Sequence, residues 1–261
     1  MKAAKIFIRA ANGVLSAIVI LALLIAGSYS AYALWDNEQV YTSVDDVMAE
    51  LISLKPSLDP EEDNGASFEE LLAINPDVCA WLTLDGTKID YPILQGADNL
   101  SYINTDVYGE FALAGSIFLD SRCDRTFNTS YALVYGHHME NSKMFGDLDK
   151  YKDEEFFDEN ETGVLILPDR SYNLDIFACL LVKSSESNIF QPDRWQYDIT
   201  GLLDFAQENS MFTRPELIDE IRSAQSPQVI ALSTCSSEYT DARTIVLAYM
   251  TPYAPVKQVG G

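Results

Sequence analysis

Eight short apolar runs, separated by turn-forming residues, constrain the fold of this chain more than any other feature. The runs are rich in β-branched and aromatic residues, which favours strands over helices. Eight strands in one domain are typical of a closed or nearly closed barrel, because closure removes exposed sheet edges. The runs occupy residues 79–84, 88–95, 115–120, 131–137, 163–169, 171–183, 227–235 and 243–250.

Helical segments are predicted before the barrel and between its strands. Apolar periodicity predicts a first helix that Ser43 caps and that ends before Pro56. A second helix begins at a Ser67/Glu70 capping box, after a polar spacer. Three helical insertions are predicted between strands, at residues 142–157, 195–212 and 215–224. We therefore expect a mainly β fold with N-terminal helices.

The N-terminus has the pattern of a membrane anchor. Lys2, Lys5 and Arg9 precede an uncharged stretch whose apolar centre, residues 14–33, is long enough to span a bilayer. Basic residues before the stretch and acidic residues after it place the N-terminus in the cytoplasm and the rest outside. The alternative is a cleaved signal peptide, because residues 31–33 resemble an A-x-A cleavage site. We favour an uncleaved anchor, since the apolar run is long for a signal core.

The charge of the chain argues against one class of partner. There are 40 acidic and 17 basic residues, and the formal net charge is −23. Phosphates would be repelled by most of this surface, which argues against nucleic-acid or anionic-lipid binding through the bulk of the chain.

The four cysteines are widely spaced and contain no C-x-x-C pair, which argues against a zinc site. Cys79 and Cys179 lie inside apolar strands, where a buried free thiol is expected. An extracytoplasmic domain would also permit disulfides. Cys235 differs from the others because it ends a strand, and Arg243 opens the next strand.

The only two histidines, His137 and His138, are adjacent at the end of another strand. Side chains alternate between the faces of a strand, so only one of the two rings points at a given site. Cysteine, histidine and arginine together are sufficient for acyl transfer. A thiolate attacks a carbonyl, an imidazolium protonates the leaving amine, and a guanidinium stabilises the oxyanion.

Each of these residues also has an ordinary structural interpretation. A cysteine at a strand end is more often a small core residue than a nucleophile. The histidines could be core or surface residues, and Arg243 could pair with Glu238 or Asp241. The combination, rather than any single member, indicates catalysis.

The combination resembles the signature of the sortases, the membrane-anchored cysteine transpeptidases of Gram-positive surfaces. Residues 232–235 followed by Arg243 resemble the T-L-x-T-C…R motif, and residues 135–137 resemble the histidine motif. Residues 68–103, 115–120, 135–148 and 232–235 resemble class B sortases in that order, over nearly all of the part after the anchor. Two architectural features agree with class B: the N-terminal helices and a long helix between the sixth and seventh strands.

The resemblance implies a role for each matched residue. Cys235 would be the nucleophile, His137 the general acid, and Arg243 the group that holds the substrate carbonyl or the oxyanion. His138 stands where the family often has asparagine, and strand alternation and motif register both favour His137. No metal or cofactor is implied. By position, four residues resemble the wall of the peptide groove: Asn99, Ile103, Tyr135 and Ser233.

The N-terminal pattern and the resemblance together predict a division of the chain into four parts. Residues 1–12 would be a cytoplasmic N-terminus, 13–35 a transmembrane anchor, 36–66 an N-terminal helix and spacer, and 67–261 the sortase catalytic domain, an eight-stranded barrel.

The implied function is a transpeptidase that cleaves a C-terminal sorting signal of surface or pilin proteins. The acyl group would pass from Cys235 to an amine of a peptidoglycan precursor or of a pilin lysine. Two alternatives stay open: a membrane-tethered thiol peptidase that releases its product to water, and a catalytically silent barrel that binds a surface partner.

Overall fold

The structure is a computed structural model that describes residues 2–58, 64–235 and 241–254, with the backbone alone for 2–9, 11, 64–67 and 235. The chain divides into two compact units, Met1–Asp46 and Val47–Gly261. Most of the predicted spacer and the turn that contains Glu238 lie outside the described residues, as does the side chain of Ser67.

The N-terminal helix α1 is one continuous helix of 50 residues, Lys2–Leu51. The prediction that a separate helix begins at Ser43 is therefore wrong. The Ser43 hydroxyl donates to the Val40 carbonyl 2.8 Å away, within the helix, and does not cap a new one. The polar residues after Trp35 include no proline or glycine, so nothing interrupts the helix there. The stretch Asn12–Leu54 is long and apolar enough to cross a membrane.

All eight predicted strands are present, and two strands of two residues each were not predicted. The ten strands are β1 (Val78–Leu84), β2 (Asp90–Leu94), β3 (Ile117–Leu119), β4 (Tyr131–Met139), β5 (Lys143–Met144), β6 (Thr162–Ile166), β7 (Ser171–Lys183), β8 (Phe212–Thr213), β9 (Val229–Cys235) and β10 (Ala242–Pro252).

Eight of these strands close into a barrel in the order β10-β9-β4-β3-β2-β1-β6-β7, and β7 pairs with β10 to complete the ring. β2–β3 and β4–β9 are parallel pairs, and the other pairs are antiparallel. The two short strands lie off the ring, β5 beside β4 and β8 beside β7. The predicted eight-stranded barrel is confirmed.

The helices of the second unit lie before the barrel and in its connections. α2 (Asn64–Ile74) begins three residues before the predicted cap at Ser67. A 3₁₀ helix, Gly146–Lys152, and α3 (Glu154–Glu159) connect β5 to β6. The connection from β7 to β9 holds α4 (Ser187–Phe190), a 3₁₀ turn at Pro192–Trp195, α5 (Thr200–Asn209) and α6 (Pro215–Ser223).

The long helix expected between the sixth and seventh predicted strands is therefore divided into shorter ones. After α5 the chain becomes extended as β8, which pairs with β7, and Pro215 then starts α6. Proline favours the first turn of a helix, because its missing N–H is not needed there.

A cluster of buried apolar residues joins the end of α1 and α2 to the barrel wall. Leu51, Phe68, Leu71 and Trp81 belong to this cluster and are all at most 1 % exposed. The Trp81 indole donates to an Asp90 carboxylate oxygen 2.7 Å away, which satisfies the polar atom of this buried ring.

Gly115 fixes the path of the segment between β2 and β3. Its φ is +57°, which favours glycine, and a Cβ atom there would lie 2.2 Å from the carbonyl oxygen of Ile103. The amide of the next residue, Ser116, donates to the Tyr102 carbonyl 3.0 Å away. The position of the Ile103 carbonyl therefore depends on the absence of a side chain at Gly115.

We predict that Gly115→Ala lowers the free energy of unfolding by roughly 2–4 kcal/mol, because a positive φ and a backbone clash both add a penalty. Gly109→Ala is the matched control, since Gly109 has a φ of +81° but nothing within 4 Å of a new Cβ atom. The control should cost only about 1–2 kcal/mol. Urea unfolding in detergent micelles measures both, and equal costs would contradict the proposed close approach.

Candidate active site

The parallel pair β4–β9 brings the histidine motif beside the cysteine motif. Its register runs from Tyr131 opposite Val229 to His137 opposite Cys235. Residues at matched positions of neighbouring strands occupy the same face of a sheet. His137 and Cys235 are therefore neighbours at the end of both strands, although they are far apart in the sequence.

Arg243 reaches the same end of the barrel from the other side of β9. The antiparallel register places Ile245 opposite Ser233, and the same register continued by two residues places Arg243 opposite Cys235. Among the described residues, no side chain forms an ion pair with Arg243. Asp241, one of the two suspected partners, is hydrogen-bonded to Ser184 through its carboxylate and its carbonyl.

The two histidine rings have different partners. His137 Nε2 lies 2.7 Å from the carbonyl oxygen of Ile103. A carbonyl oxygen only accepts, so Nε2 carries the proton in this contact. His138 Nε2 lies 3.1 Å from a carboxylate oxygen of Asp149, on the 3₁₀ helix after β5. The two rings therefore contact different parts of the protein, as expected for adjacent residues that point to opposite faces of β4.

Two of the predicted groove residues are joined by a buried carboxylate, Asp120. The Tyr135 hydroxyl and the Asn99 amide both donate to Asp120 Oδ2, at 3.0 and 2.9 Å. The Arg122 guanidinium donates two hydrogen bonds to the same carboxylate, at 2.9 and 2.7 Å, and one to the Phe190 carbonyl at 3.0 Å; the Arg122 amide also donates to Asp120, at 2.9 Å. The segment of Phe190 is therefore attached to the same network.

Aromatic rings line this side of the site. The ring of Tyr135 contacts those of Phe118 and Phe190, with centroid distances of 5.3 and 6.3 Å. Phe190 is nearly parallel to Tyr135, with an interplanar angle of 7°. The stack fixes the orientation of the Tyr135 ring, and the hydroxyl bond to Asp120 fixes its end.

The other two predicted groove residues lie in different surroundings. Ile103 is half-buried, and its carbonyl rather than its side chain meets His137. Ser233 has no exposed surface, so a peptide at the surface does not reach its hydroxyl in this conformation. Sequence reasoning missed Asp120 and Asp149. The available signal for Asp120 was a charged residue directly at the end of an apolar strand.

The pKa values of the buried groups divide them into thiols that stay protonated and a carboxyl that is ionised. Burial raises the pKa of the Cys79, Cys123 and Cys179 thiols to about 12, so these thiols stay protonated at neutral pH. Burial would also raise the pKa of Asp120, but hydrogen bonds from Arg122 and Asn99 outweigh it and hold the pKa below its usual range. The Asp120 carboxylate is therefore charged under ordinary conditions.

Comparison with known proteins supports one family. No protein-family model matches the chain. Sortase B of Listeria monocytogenes is 29% identical over 237 residues, which is 89% of this chain and 93% of that protein. Sortase B of Staphylococcus aureus is 28% identical over 183 residues, which is 69% of this chain and 73% of that protein.

Solved structures are similar to this chain in both fold and sequence. A Streptococcus pyogenes class B sortase involved in pilus biogenesis is 39% identical, with a TM-score of 0.63, over 72% of this chain and 99% of that one. A mutant form of Clostridium perfringens sortase B is 31% identical, with a TM-score of 0.68, over 78% of this chain and 96% of that one. These sortase relatives support a cysteine transpeptidase as the class of protein. Within that class, the chain belongs to the class B sortases.

We predict that Asp120→Asn lowers the free energy of unfolding at pH 7 by roughly 1.5–3 kcal/mol, because the Arg122 fork loses a charged acceptor. The folded-state pKa of Asp120 is lowered, so its contribution is present above the ordinary carboxyl pKa of about 4 and is lost as pH falls through the lowered value. The difference between variant and wild type should therefore shrink in acid. Urea unfolding at several pH values measures it.

Asp169→Asn is the matched control for that experiment. Asp169 also pairs with a neighbouring arginine, Arg170, but its side chain is 70% exposed. Exposed ion pairs contribute about 0–1 kcal/mol. Equal effects of the two substitutions, or a pH-independent effect at Asp120, would contradict the role of the buried carboxylate.

Proposed function

We propose that this sortase cleaves a C-terminal sorting signal of surface or pilin proteins through a thioacyl intermediate on Cys235. It then transfers the acyl group to an amine of the cell wall or of a pilin. The observation that carries the proposal is the register of β4 and β9, which pairs His137 with Cys235 while Arg243 opens the neighbouring strand. The solved class B sortase involved in pilus biogenesis supports the pilin branch by similarity.

The chemistry assigns one role to each of the three residues. The Cys235 thiolate attacks the carbonyl carbon of the scissile amide, and the oxygen becomes an oxyanion that the Arg243 guanidinium stabilises. The carbon–nitrogen bond then breaks, and His137 gives its proton to the leaving amine. A second amine attacks the thioester, its proton returns to His137, and the Cys235 thiolate is released with a new amide bond formed.

Two features of the surroundings support this assignment. Arg243 has no ion-pair partner among the described side chains, so its guanidinium is available to a substrate oxygen. The three other thiols are buried with raised pKa values, which leaves Cys235 as the candidate nucleophile.

The segment between β2 and β3 fits a role in peptide binding. It carries Asn99 and Ile103, two of the proposed groove residues, and its apolar side chains at Leu100, Phe111 and Leu113 are exposed. Exposed apolar side chains near a catalytic group are typical of surfaces that bind a peptide. We propose that Asn99, Ile103 and Tyr135 line the groove and that Ser233 supports it from beneath.

The N-terminal part is proposed to anchor the enzyme. The apolar section of α1, residues 13–35, would cross the membrane once, with residues 1–12 in the cytoplasm. Residues 36–66 would link the anchor to the catalytic domain, 67–261, on the outer side. This arrangement would place Cys235 where secreted substrates and cell-wall precursors are found.

The test is peptide cleavage by the full chain in detergent micelles, with peptides that carry candidate sorting motifs and with glycine or lysine amines as acceptors. We expect Cys235→Ala to abolish both cleavage and transfer, because no other described thiol can replace the nucleophile. Mass spectrometry of the products measures both steps.

Cys179→Ala is the control, because Cys179 is a fully buried thiol. It should lower stability through lost packing and keep the chemistry in the folded fraction. Cleavage that survives in Cys235→Ala would refute the mechanism. Wild-type products that carry only water would support the thiol peptidase, and a chain that cleaves no peptide and resists peptide-like electrophiles at Cys235 would support a binding barrel.

A further inference from the structure

A second polar network lies among the immediate neighbours of the three proposed catalytic residues. His138 follows His137, Thr234 precedes Cys235, and Thr244 follows Arg243. Side chains alternate along a strand, so these neighbours occupy the opposite face from the catalytic positions. Thr234 and Thr244 are only 2 % and 3 % exposed, so their hydroxyls require partners within the protein.

Asp149 connects this network. The Thr244 amide donates to Thr234 Oγ1 3.2 Å away, and the Thr244 hydroxyl donates to Asp149 Oδ1 at 2.5 Å. The other oxygen of the carboxylate, Oδ2, lies 3.1 Å from His138 Nε2 and 2.8 Å from Lys152 Nζ. One carboxylate thus contacts β4 and β10 and, through Thr244, reaches β9.

The position of Asp149 is fixed by the helix that carries it. It lies on the 3₁₀ helix Gly146–Lys152, whose Leu148 and Tyr151 side chains are completely buried. The amide of Phe145, directly before this helix, donates to the His137 carbonyl 3.0 Å away. Gly146 allows close approach to β4, because a Cβ atom there would lie 2.0 Å from the Met139 carbonyl oxygen. The helix therefore holds Asp149 at a defined distance from the strand end.

We propose that Asp149 is a positioning residue that holds the ends of β4 and β10 at the separation that the chemistry of Cys235, His137 and Arg243 requires. The inference rests on the proposed function and adds a residue to it. β4 and β10 do not pair with each other, because β9 lies between them, so the contacts of Asp149 with His138 and Thr244 add a direct link between the two strand ends. A misplacement of about 1 Å at a catalytic group is enough to reduce a rate about 100-fold.

The charge of Asp149 agrees with this role. Burial would raise the pKa of the carboxyl, but hydrogen bonds from His138, Lys152 and Thr244 outweigh it and hold the pKa well below its usual range. The carboxylate therefore stays ionised throughout the neutral range and keeps both of its oxygens as acceptors.

The first experiment measures the kinetics of peptide cleavage by the full chain in detergent micelles. Asp149→Ala should lower kcat by about 10–100-fold with little change in KM, because the groove that binds the peptide lies elsewhere. Asp149→Asn should recover part of the loss, since its amide oxygen still accepts from Thr244. Thr244→Val removes only the hydroxyl and should behave like Asp149→Ala, and the double variant should be no worse than either single variant.

The second measurement does not require a substrate. Alkylation of Cys235 by iodoacetamide reports the pH at which its thiol ionises, and the three buried thiols react slowly because of their raised pKa values. Thr244→Val should shift the pH midpoint of alkylation upward by about one unit, since it breaks the contact with Asp149 without removing a charge and His137 and Arg243 move away from the thiolate. If wild type cleaves no peptide but this shift occurs, the proposed function fails and the positioning role stands.

Asp147→Asn is the matched control, because Asp147 lies on the same 3₁₀ helix and binds the Lys88 amide and Lys150 instead. It should lower stability and leave kcat and the alkylation midpoint unchanged. Asp149→Ala and Thr244→Val variants that lose only stability would overturn the proposal. Loss of activity in His138→Ala with retention in His137→Ala would also overturn it, because Asp149 would then orient a catalytic His138.

Discussion

The parallel pairing of β4 with β9 is the constraint on which the rest of this site depends. Its register sets His137 beside Cys235, and the antiparallel partner β10 brings Arg243 to the same end. A slip of one residue would move every side chain of a strand to the other face and would bring His138 into the position of His137. The closed barrel opposes such a slip, because every strand of the ring is paired on both sides.

Two aspartates stabilise the two sides of this arrangement. Asp120 joins Tyr135, Asn99 and Arg122 on the side where we place the peptide groove. Asp149 joins His138 and Thr244 on the opposite side. Hydrogen bonds that charged donors make to a carboxylate are about twice as strong as neutral ones, which suits them to fixing strand ends. The proposed catalytic positions thus have a polar network on each face of the strands that carry them.

The strands and the cysteine–histidine–arginine combination were predictable from sequence, because alternating apolar runs and short motifs are local signals. Asp149 and Thr244 are 95 residues apart, and Asp120, directly after β3, is 15 residues from Tyr135 on β4, so only the folded chain reveals these contacts. The continuous α1 was missed because Ser43 matches the sequence pattern of a helix cap, whereas in the structure its hydroxyl bonds to a carbonyl within the same helix. The division of the long connection at β8 depends on tertiary pairing with β7.

The most direct test of this account is detection of the covalent intermediate. The full chain is mixed with a peptide that it cleaves, in the absence of an amine acceptor, and quenched in acid. Mass spectrometry of the digested protein should find the acyl fragment of the peptide on Cys235, and an added amine should discharge it. Cleavage without an adduct, or an adduct on Cys79, Cys123 or Cys179, would contradict the account.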